Sequence, residues 1–409
     1  MLQILIYLTS PPFLKIIMKK VILFIVTFTL FYTNAQIKIL FDATKDEMAG
    51  NADWVIDADS KSGGESNPQR IPTPAQSGIN SSTSETYWTG ALSAWAVDLV
   101  KQGYYVETLP ITGKITYGDP TNTQDLANYK VFIVTEPNNQ FSATEKTAIV
   151  NFVKNGGGLY IIADHNQSDR DGDGIDSPSV WNDLFSTNSV KSNPFGIKFD
   201  LVSISQTTSN FANQPTNAIL HGTAGNPTQM QFSAGATMTL DKTANSTVQG
   251  LVYKTGSSTA GTTNVMFATA TYGSGKICAL GDSSVPDDGT GDSGDTLYDG
   301  YFSDASGNHQ PLLINSVIWL ATASNLSAQD ILKNQISVKI YPNPSSDFVY
   351  IKSENASENY HLTLMDSTGK VLQSIPNSTK ISIASYPKGI YYLLVKNEKG
   401  FKNFKVEKK

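Results

Sequence analysis

Residues 163–185 read ADHNQSDRDGDGIDSPSVWNDLF, six aspartates and one histidine placed directly after an apolar run. Asp169, Asp171 and Asp173, followed by Gly174, have the D-x-D-x-D-G spacing that lets alternate carboxylates turn toward one ion while glycine permits the sharp bend. The carbonyl of Ile175 can add an oxygen, and Asp176 or Asp183 would have to complete the shell, because Val180 stands where an EF-hand carries its bidentate glutamate. A set of oxygen ligands with no nearby cysteine favours calcium over zinc. A solvated acidic turn is the other reading of the same loop. Just upstream, Asp164 and His165 pair a carboxylate with an imidazole, which suits general acid–base or metal-ligand work, or a histidine hydrogen-bonded beneath the loop.

A second acidic segment, residues 281–309, holds seven aspartates and no lysine or arginine. Asp287, Asp288, Asp292 and Asp295 could take a second divalent ion or form a solvated loop, and His309 could return to the same region. His221 reads as a loop residue, and His361 lies far along the chain in a different compositional zone.

These residues matter only if the fold gathers them. IKILFDA at 37–43, YYVETLP, YKVFIVTEP at 129–137, LYIIADH and NVMFATATYGSGKICALGDS read as strands, several of them nearly continuous apolar runs suited to burial on both faces. Between them, Leu92, Trp95, Ala96 and Leu99 recur at helical spacing up to Gly103. Ser142 and Glu145 form a capping box opening a helix whose inward face is Ala148, Ile149, Phe152 and Val153, stopped by NGGG. QPLLINSVIWLAT supplies a last helix. Strands alternating with helices predict an α/β fold with a doubly wound, mostly parallel sheet, flavodoxin-like in its layering. In such sheets ligands gather at the carboxyl ends of the strands, where Asp42, Glu136, Asn138, Asp164, His165, Asp282 and Ser283 fall. The candidate catalytic set is therefore His165, Asp164, Asp282 and Glu136.

Composition narrows the chemistry. The 409 residues carry a net charge of -6 and one cysteine, Cys278, which excludes a disulfide framework and multi-cysteine metal sites. Residues 337–409 have eleven lysines against six acids, while residues 36–336 are strongly acidic, which speaks against nucleic acid as a partner. No G-x-S-x-G elbow or phosphate-binding glycine loop occurs. Trp54, Tyr87, Trp88 and Trp181 lie beside Asn, Asp and Glu, as sugar platforms do, although core packing is the leading reading of the tryptophans.

YKVFIVTEPNNQFSATEKTAIVNFVKNGGGLYIIADH, with YGSGKICALGDSS and LLINSVIWLAT, resembles the class I glutamine amidotransferase-like superfamily, in particular its trehalose-utilisation-like branch. That resemblance implies the amidotransferase-like fold. It places Ala163-Asp164-His165 at the elbow where true amidotransferases carry a nucleophilic cysteine, so glutamine hydrolysis by a thiol is excluded.

MKKVILFIVTFTLFYTNAQ, from Met18, has the lysines, short apolar core and small-residue ending of a signal peptide, with cleavage before Gln36, so no transmembrane anchor is expected afterwards. The other end, through IYPNPSSDFVYI, LMDSTGKVL and PKGIYYLLVKN, resembles the type A sorting domain of type IX secretion cargo, a small all-β sandwich. The expected organisation is an upstream extension and signal peptide at 1–35, an amidotransferase-like α/β domain at 36–322, a linker at 323–336 and the sorting domain at 337–409. The resemblance implies the type IX secretion machinery as partner and a secreted or surface location. Two functions fit: a calcium-binding hydrolase acting on extracellular glycan or another polymer, and a non-catalytic, calcium-stabilised protein that binds glycan or another surface ligand.

Overall fold

The computed structural model describes residues 36–57, 68–291, 294–303, 309–322, 338–353, 360–366, 371–397 and 400–409. The expected upstream extension and signal peptide at 1–35, the expected linker at 323–336 and Asp292 lie outside them. Contacts divide the chain into two compact units, Met1–Ser324 and Asn325–Lys409.

The first unit is built on a nine-stranded sheet. Strands β1 (Lys38–Asp42), β2 (Tyr105–Leu109), β3 (Val131–Thr135) and β4 (Gly158–Ile162) run parallel in the order β2-β1-β3-β4. The sequence alternates these strands with helices α1 (Ser93–Lys101), α2 (Ala143–Lys154) and α3 (Ser177–Thr187), and α4 (His309–Ala321) closes the unit. The chain leaves β1 toward β2 and returns on its other side to β3, so the strand order reverses between β1 and β3, where doubly wound sheets open a crevice.

Strands β5 (Ile197–Phe199), β8 (Met238–Leu240), β9 (Gln249–Tyr253), β10 (Val265–Tyr272) and β11 (Gly275–Leu280) complete the sheet. β11 lies parallel beside β4, and β10 turns back antiparallel on it as a hairpin. β6 (Ile204–Thr208) and β7 (Met230–Gly235) form a separate two-stranded ribbon.

Two hydrophobic layers cover the sheet. Leu40, Phe132, Val134, Leu159 and Ile161 face Ile149 and Phe152 of α2 and Trp181 and Leu184 of α3. Ile39, Phe41, Ile133, Tyr160 and Ile162 face Trp95 and Leu99 of α1 and Leu313 and Val317 of α4. Trp95 meets Phe41 and Tyr160 edge-on, with centroids 5.7 and 5.1 Å apart, and such pairs add about 0.5–1.5 kcal/mol to plain burial. The capping box is present: Ser142 Oγ accepts from the Glu145 amide, and the Glu145 carboxylate accepts from the Ser142 amide. At Gly158 a Cβ would lie 2.8 Å from the Leu320 carbonyl oxygen, so only glycine lets α4 pack this closely on the start of β4.

In the second unit the strands described pair antiparallel, and one isolated parallel bridge joins Ser345 to Lys408. One sheet has the order β12 (Val338–Tyr341), β13 (Phe348–Ser353), β16 (Lys380–Ser382). The other has β15 (Val371–Ser378), β14 (Tyr360–Met365), β17 (Gly389–Asn397), β18 (Gly400–Lys408). Val349, Ile351 and Ile381 from the first share a core with Leu362, Leu364, Leu393 and Val406 from the second. The residues thus fold into a mostly parallel α/β sheet with flanking helices and a small antiparallel β unit, as the strand patterning predicts.

Candidate functional site

The carboxyl ends of β3, β4 and β11 lie on one edge, because these neighbouring strands are parallel. Glu136 follows β3 with φ of 49°, a left-handed conformation that a non-glycine residue rarely adopts outside turns and functional sites. Its amide donates to Ile162 O at 3.0 Å, so the bend is stitched to the neighbouring strand. Asp164 follows β4, and its amide donates to Ser177 Oγ at 2.8 Å. Asp282 follows β11 after Gly281, where an added Cβ would lie 1.8 Å from Ala236 O. That close approach brings Asp282 against β7: the Ser233 amide donates to Asp282 Oδ2 at 2.5 Å, and Ser284 donates through its amide and hydroxyl to Oδ1.

Glu136, Asp164 and Asp282 are all buried. Arg170, which the sequence reading passed over, supplies the cation for Glu136 and Asp164. Its Nε contacts Glu136 Oε1, and its Nη2 lies 3.3 Å from Glu136 Oε2 and 3.1 Å from Asp164 Oδ2. Nη1 donates to Asn51 Oδ1 at 2.8 Å, and the guanidinium carbon sits 5.8 Å from the Trp54 ring centroid. Ser283 Oγ donates to Glu136 Oε2 at 2.5 Å. Burial pushes the Glu136 and Asp164 carboxyls up to about 8 and Asp282 to about 6, each raised further by a neighbouring acid; Arg170 opposes the rise at Glu136 and Asp164. Glu136 and Asp164, enclosed against one guanidinium, keep protons to higher pH than exposed acids do, and Asp282 does so to a lesser degree.

His165 is half-buried and brings Nδ1 to 3.1 Å from Asp164 Oδ2, within ion-pair range but without a hydrogen bond. Tyr298 stands close enough that burial and the charges of Asp164 and Asp282 raise its phenol. Beside it opens a cavity of about 430 Å³ lined by Ser205, Thr207, Gln231, Ser233 and Tyr298. The sheet edge therefore brings together His165, Asp164, Glu136 and Asp282, with Arg170 and Tyr298 added. Asp42 belongs to an adjacent network with Lys45 and Glu47, where burial raises its carboxyl to about 6. Asn138 is buried and hydrogen-bonds the Glu136 carbonyl and the Arg170 amide.

The acidic loop divides. Asp169, Asp171 and Asp173 present carboxylate oxygens within 4.8 Å of one another, the only such group of three found among the described residues, and this cluster could bind a metal. The turn is held from within by the Gly172, Asp173 and Gly174 amides, which donate to Asp169. Asp176 is not part of it: its carboxylate caps α3 through the Ser179 amide at 3.1 Å and holds the Gln167 amide at 2.9 Å. The Ile175 side chain packs partly buried on the core, and its amide donates to Asp173 Oδ1 at 2.7 Å. Asp183 pairs with Lys146 across α2 and α3.

Of the residues expected to hold a second ion, Asp292 lies outside the described residues, and Asp287, Asp288 and Asp295 are not grouped among the described ones. Asp287 accepts from the Gly289 and Tyr298 amides, and Asp288 from Ala94 at the start of α1 and from Thr290. Asp287 is a buried clamp within the loop, and Asp288 is a buried staple between loop and helix. His309 is buried with both ring nitrogens on the backbone, Nδ1 at 2.6 Å from Gly300 O and Nε2 accepting from the Gln231 amide at 2.9 Å, which fixes it as a neutral brace beside the cavity. The tryptophans are core residues: Trp54, Trp88 and Trp181 are at most 2% exposed. Cys278 is fully buried in β11, and burial pushes its thiol far above the ordinary range, so it offers no nucleophile.

Residues 339–408 match the family model described as the secretion system C-terminal sorting domain. The chain is thus type IX secretion cargo, exported to the surface or beyond, and no helix among the described residues is long and apolar enough to cross a membrane. No curated protein matches the chain. Among solved structures, the mmIFT52 N-terminal domain is similar at 14% identity over 70% of this chain and 98% of that chain, TM-score 0.40. A cytoplasmic protein from Salmonella typhimurium LT2 aligns at 16% identity over 70% and 97%, TM-score 0.35. A putative ThuA-like protein from Parabacteroides merdae aligns at 11% over 70% and 90%, TM-score 0.35.

Proposed function

We propose that the exported chain is a hydrolase acting on an extracellular glycan or other polymer, with the β3–β4–β11 edge as its active site. The observation that carries this reading is the His165–Asp164 pair: a half-buried imidazole with the buried Asp164 carboxyl group 3.1 Å from its Nδ1, on an acid-lined edge. The Asp164 carboxyl group stands beside Nδ1, and Nε2 is the ring nitrogen left to exchange a proton with water or a leaving group. Glu136 and Asp164, raised to about 8, hold protons at neutral pH, the condition a general acid needs. Asp282 keeps charge beside them, and water is the nucleophile in this reading.

Asp169, Asp171 and Asp173 fit a hard cation because they offer only carboxylate oxygen, and calcium there would brace the turn that carries Arg170. The experiment is a panel of glycan and ester substrates with calcium or with chelator, comparing wild type and His165→Ala. Loss of about 100-fold or more in kcat/KM in the variant supports the assignment; unchanged turnover removes His165 from catalysis. The second reading, a calcium-stabilised binding protein, is favoured by the enclosure of Glu136 and Asp282, which are both 0% exposed. It predicts calcium-dependent melting with no turnover on any substrate.

A further inference from the structure

We propose that the outer face of the three-stranded sheet in the sorting domain docks an anionic polysaccharide, a role separate from both the α/β site and the export address. Strand alternation sends Val338, Val349, Ile351 and Ile381 into the core and leaves Lys339, Tyr341, Phe348, Tyr350, Lys352 and Lys380 exposed on the opposite face. Tyr341, Phe348 and Tyr350 are 51, 39 and 38% exposed, unusual for three large rings side by side. Tyr341 and Tyr350 are cross-strand partners, stacked with centroids 5.7 Å apart at 26°, and Phe348 continues the strip at 6.3 Å.

The charges on this face are one-sided. Lys339 and Lys352 are directly opposite each other on adjacent strands, an arrangement that costs stability through like-charge repulsion. Lys380 is opposite Tyr350, with its Nζ 5.4 Å from the Phe348 centroid. Among the described residues no carboxylate lies within ion-pair distance of these three lysines. A flat aromatic strip offers apolar faces to pyranose rings, and flanking ammonium groups complement uronate or sulfate substituents. A protein partner would call for a broader apolar core than a single file of rings between lysines.

The test uses the full chain and polygalacturonate, with neutral dextran, polyglutamate and phosphatidylglycerol vesicles as comparison ligands, followed by calorimetry at several salt concentrations. Polygalacturonate is expected to bind more tightly than the other three. Tyr341→Ser with Tyr350→Ser should weaken it by about tenfold. Lys339→Gln with Lys352→Gln should weaken it similarly and flatten its salt dependence, while melting no lower than wild type because the repulsion is relieved. Tyr341→Phe with Tyr350→Phe, which keeps the rings, should bind as wild type and separates loss of the platform from loss of folding. Equal binding of dextran, equal or tighter binding of polyglutamate or vesicles, wild-type affinity in the serine variant, or no binding of polygalacturonate would each overturn the proposal.

Discussion

Arg170 shows what one residue contributes to this edge. It leaves an exposed turn and reaches two buried acids, so its removal abandons Glu136 and Asp164 to each other. Breaking a buried ion pair from one side costs about 3–5 kcal/mol when the remaining partner stays charged. Here the partners can escape by keeping protons, and they do so more readily at low pH. Arg170→Met is therefore expected to destabilise the chain more at pH 8 than at pH 5.5, measured by urea unfolding at both. An equal loss at the two pH values would mean that the arginine serves packing against Trp54 rather than charge balance. The sequence held a signal for it: in D-x-D-x-D the intervening residues point away from the carboxylates, so an arginine between Asp169 and Asp171 turns toward the protein. The reading of the loop as a metal site hid that inward residue.

At the level of elements, the loop and the helix after it compete for the same acids. Asp176 read as a metal ligand because it continues the acidic run, yet it stands one residue before Ser177-Pro178, an N-cap position followed by proline in the first turn. Capping and cation binding make opposite predictions. Asp176→Ala should lower Tm with or without calcium, by the equivalent of about 1 kcal/mol for the lost cap. Asp171→Asn with Asp173→Asn should abolish only the calcium-dependent part, read as the Tm difference between calcium and chelator. If Asp176→Ala removes the calcium response instead, the carboxylate is a ligand after all.

The elements that were legible had strong periodicity: β1, β3 and β4 as apolar runs, α1 by its Leu92–Trp95–Leu99 face, α2 by its capping box. The region from 186 to 263 was not. β5 and β8 have three residues each, and β6 reads ISQTT, whose alternation is polar on both faces and leaves no hydrophobic signal. That ribbon supplies Ser233, the donor that holds Asp282, so part of the candidate site was invisible for the same reason.

Across the whole molecule, the acid-rich α/β unit has an unusual consequence for pH. Burial raises Asp42, Asp282 and Asp288 to about 6 and Glu136, Asp164 and Asp287 to about 8, chiefly by removing water from the charged form. Between the ordinary carboxylate range near 4 and these values the folded chain holds protons that the unfolded chain has released. Stability must then fall as pH rises through that window, and the loss is complete only above about 8. Acids lowered by partners, such as Glu107 with Arg70 and Lys38 or Asp125 with Thr116, act in the opposite direction, but their contribution disappears only below the ordinary range. The net expectation is a Tm optimum near pH 5 and a decline toward pH 8 of roughly 2–4 °C for each kcal/mol lost. Differential scanning calorimetry across pH 4.5 to 8.5 measures it. A Tm that rises from pH 5 to pH 8 would show that the buried carboxylates are ionised in the folded chain, and the proton-holding edge proposed as a general acid would fall with that result.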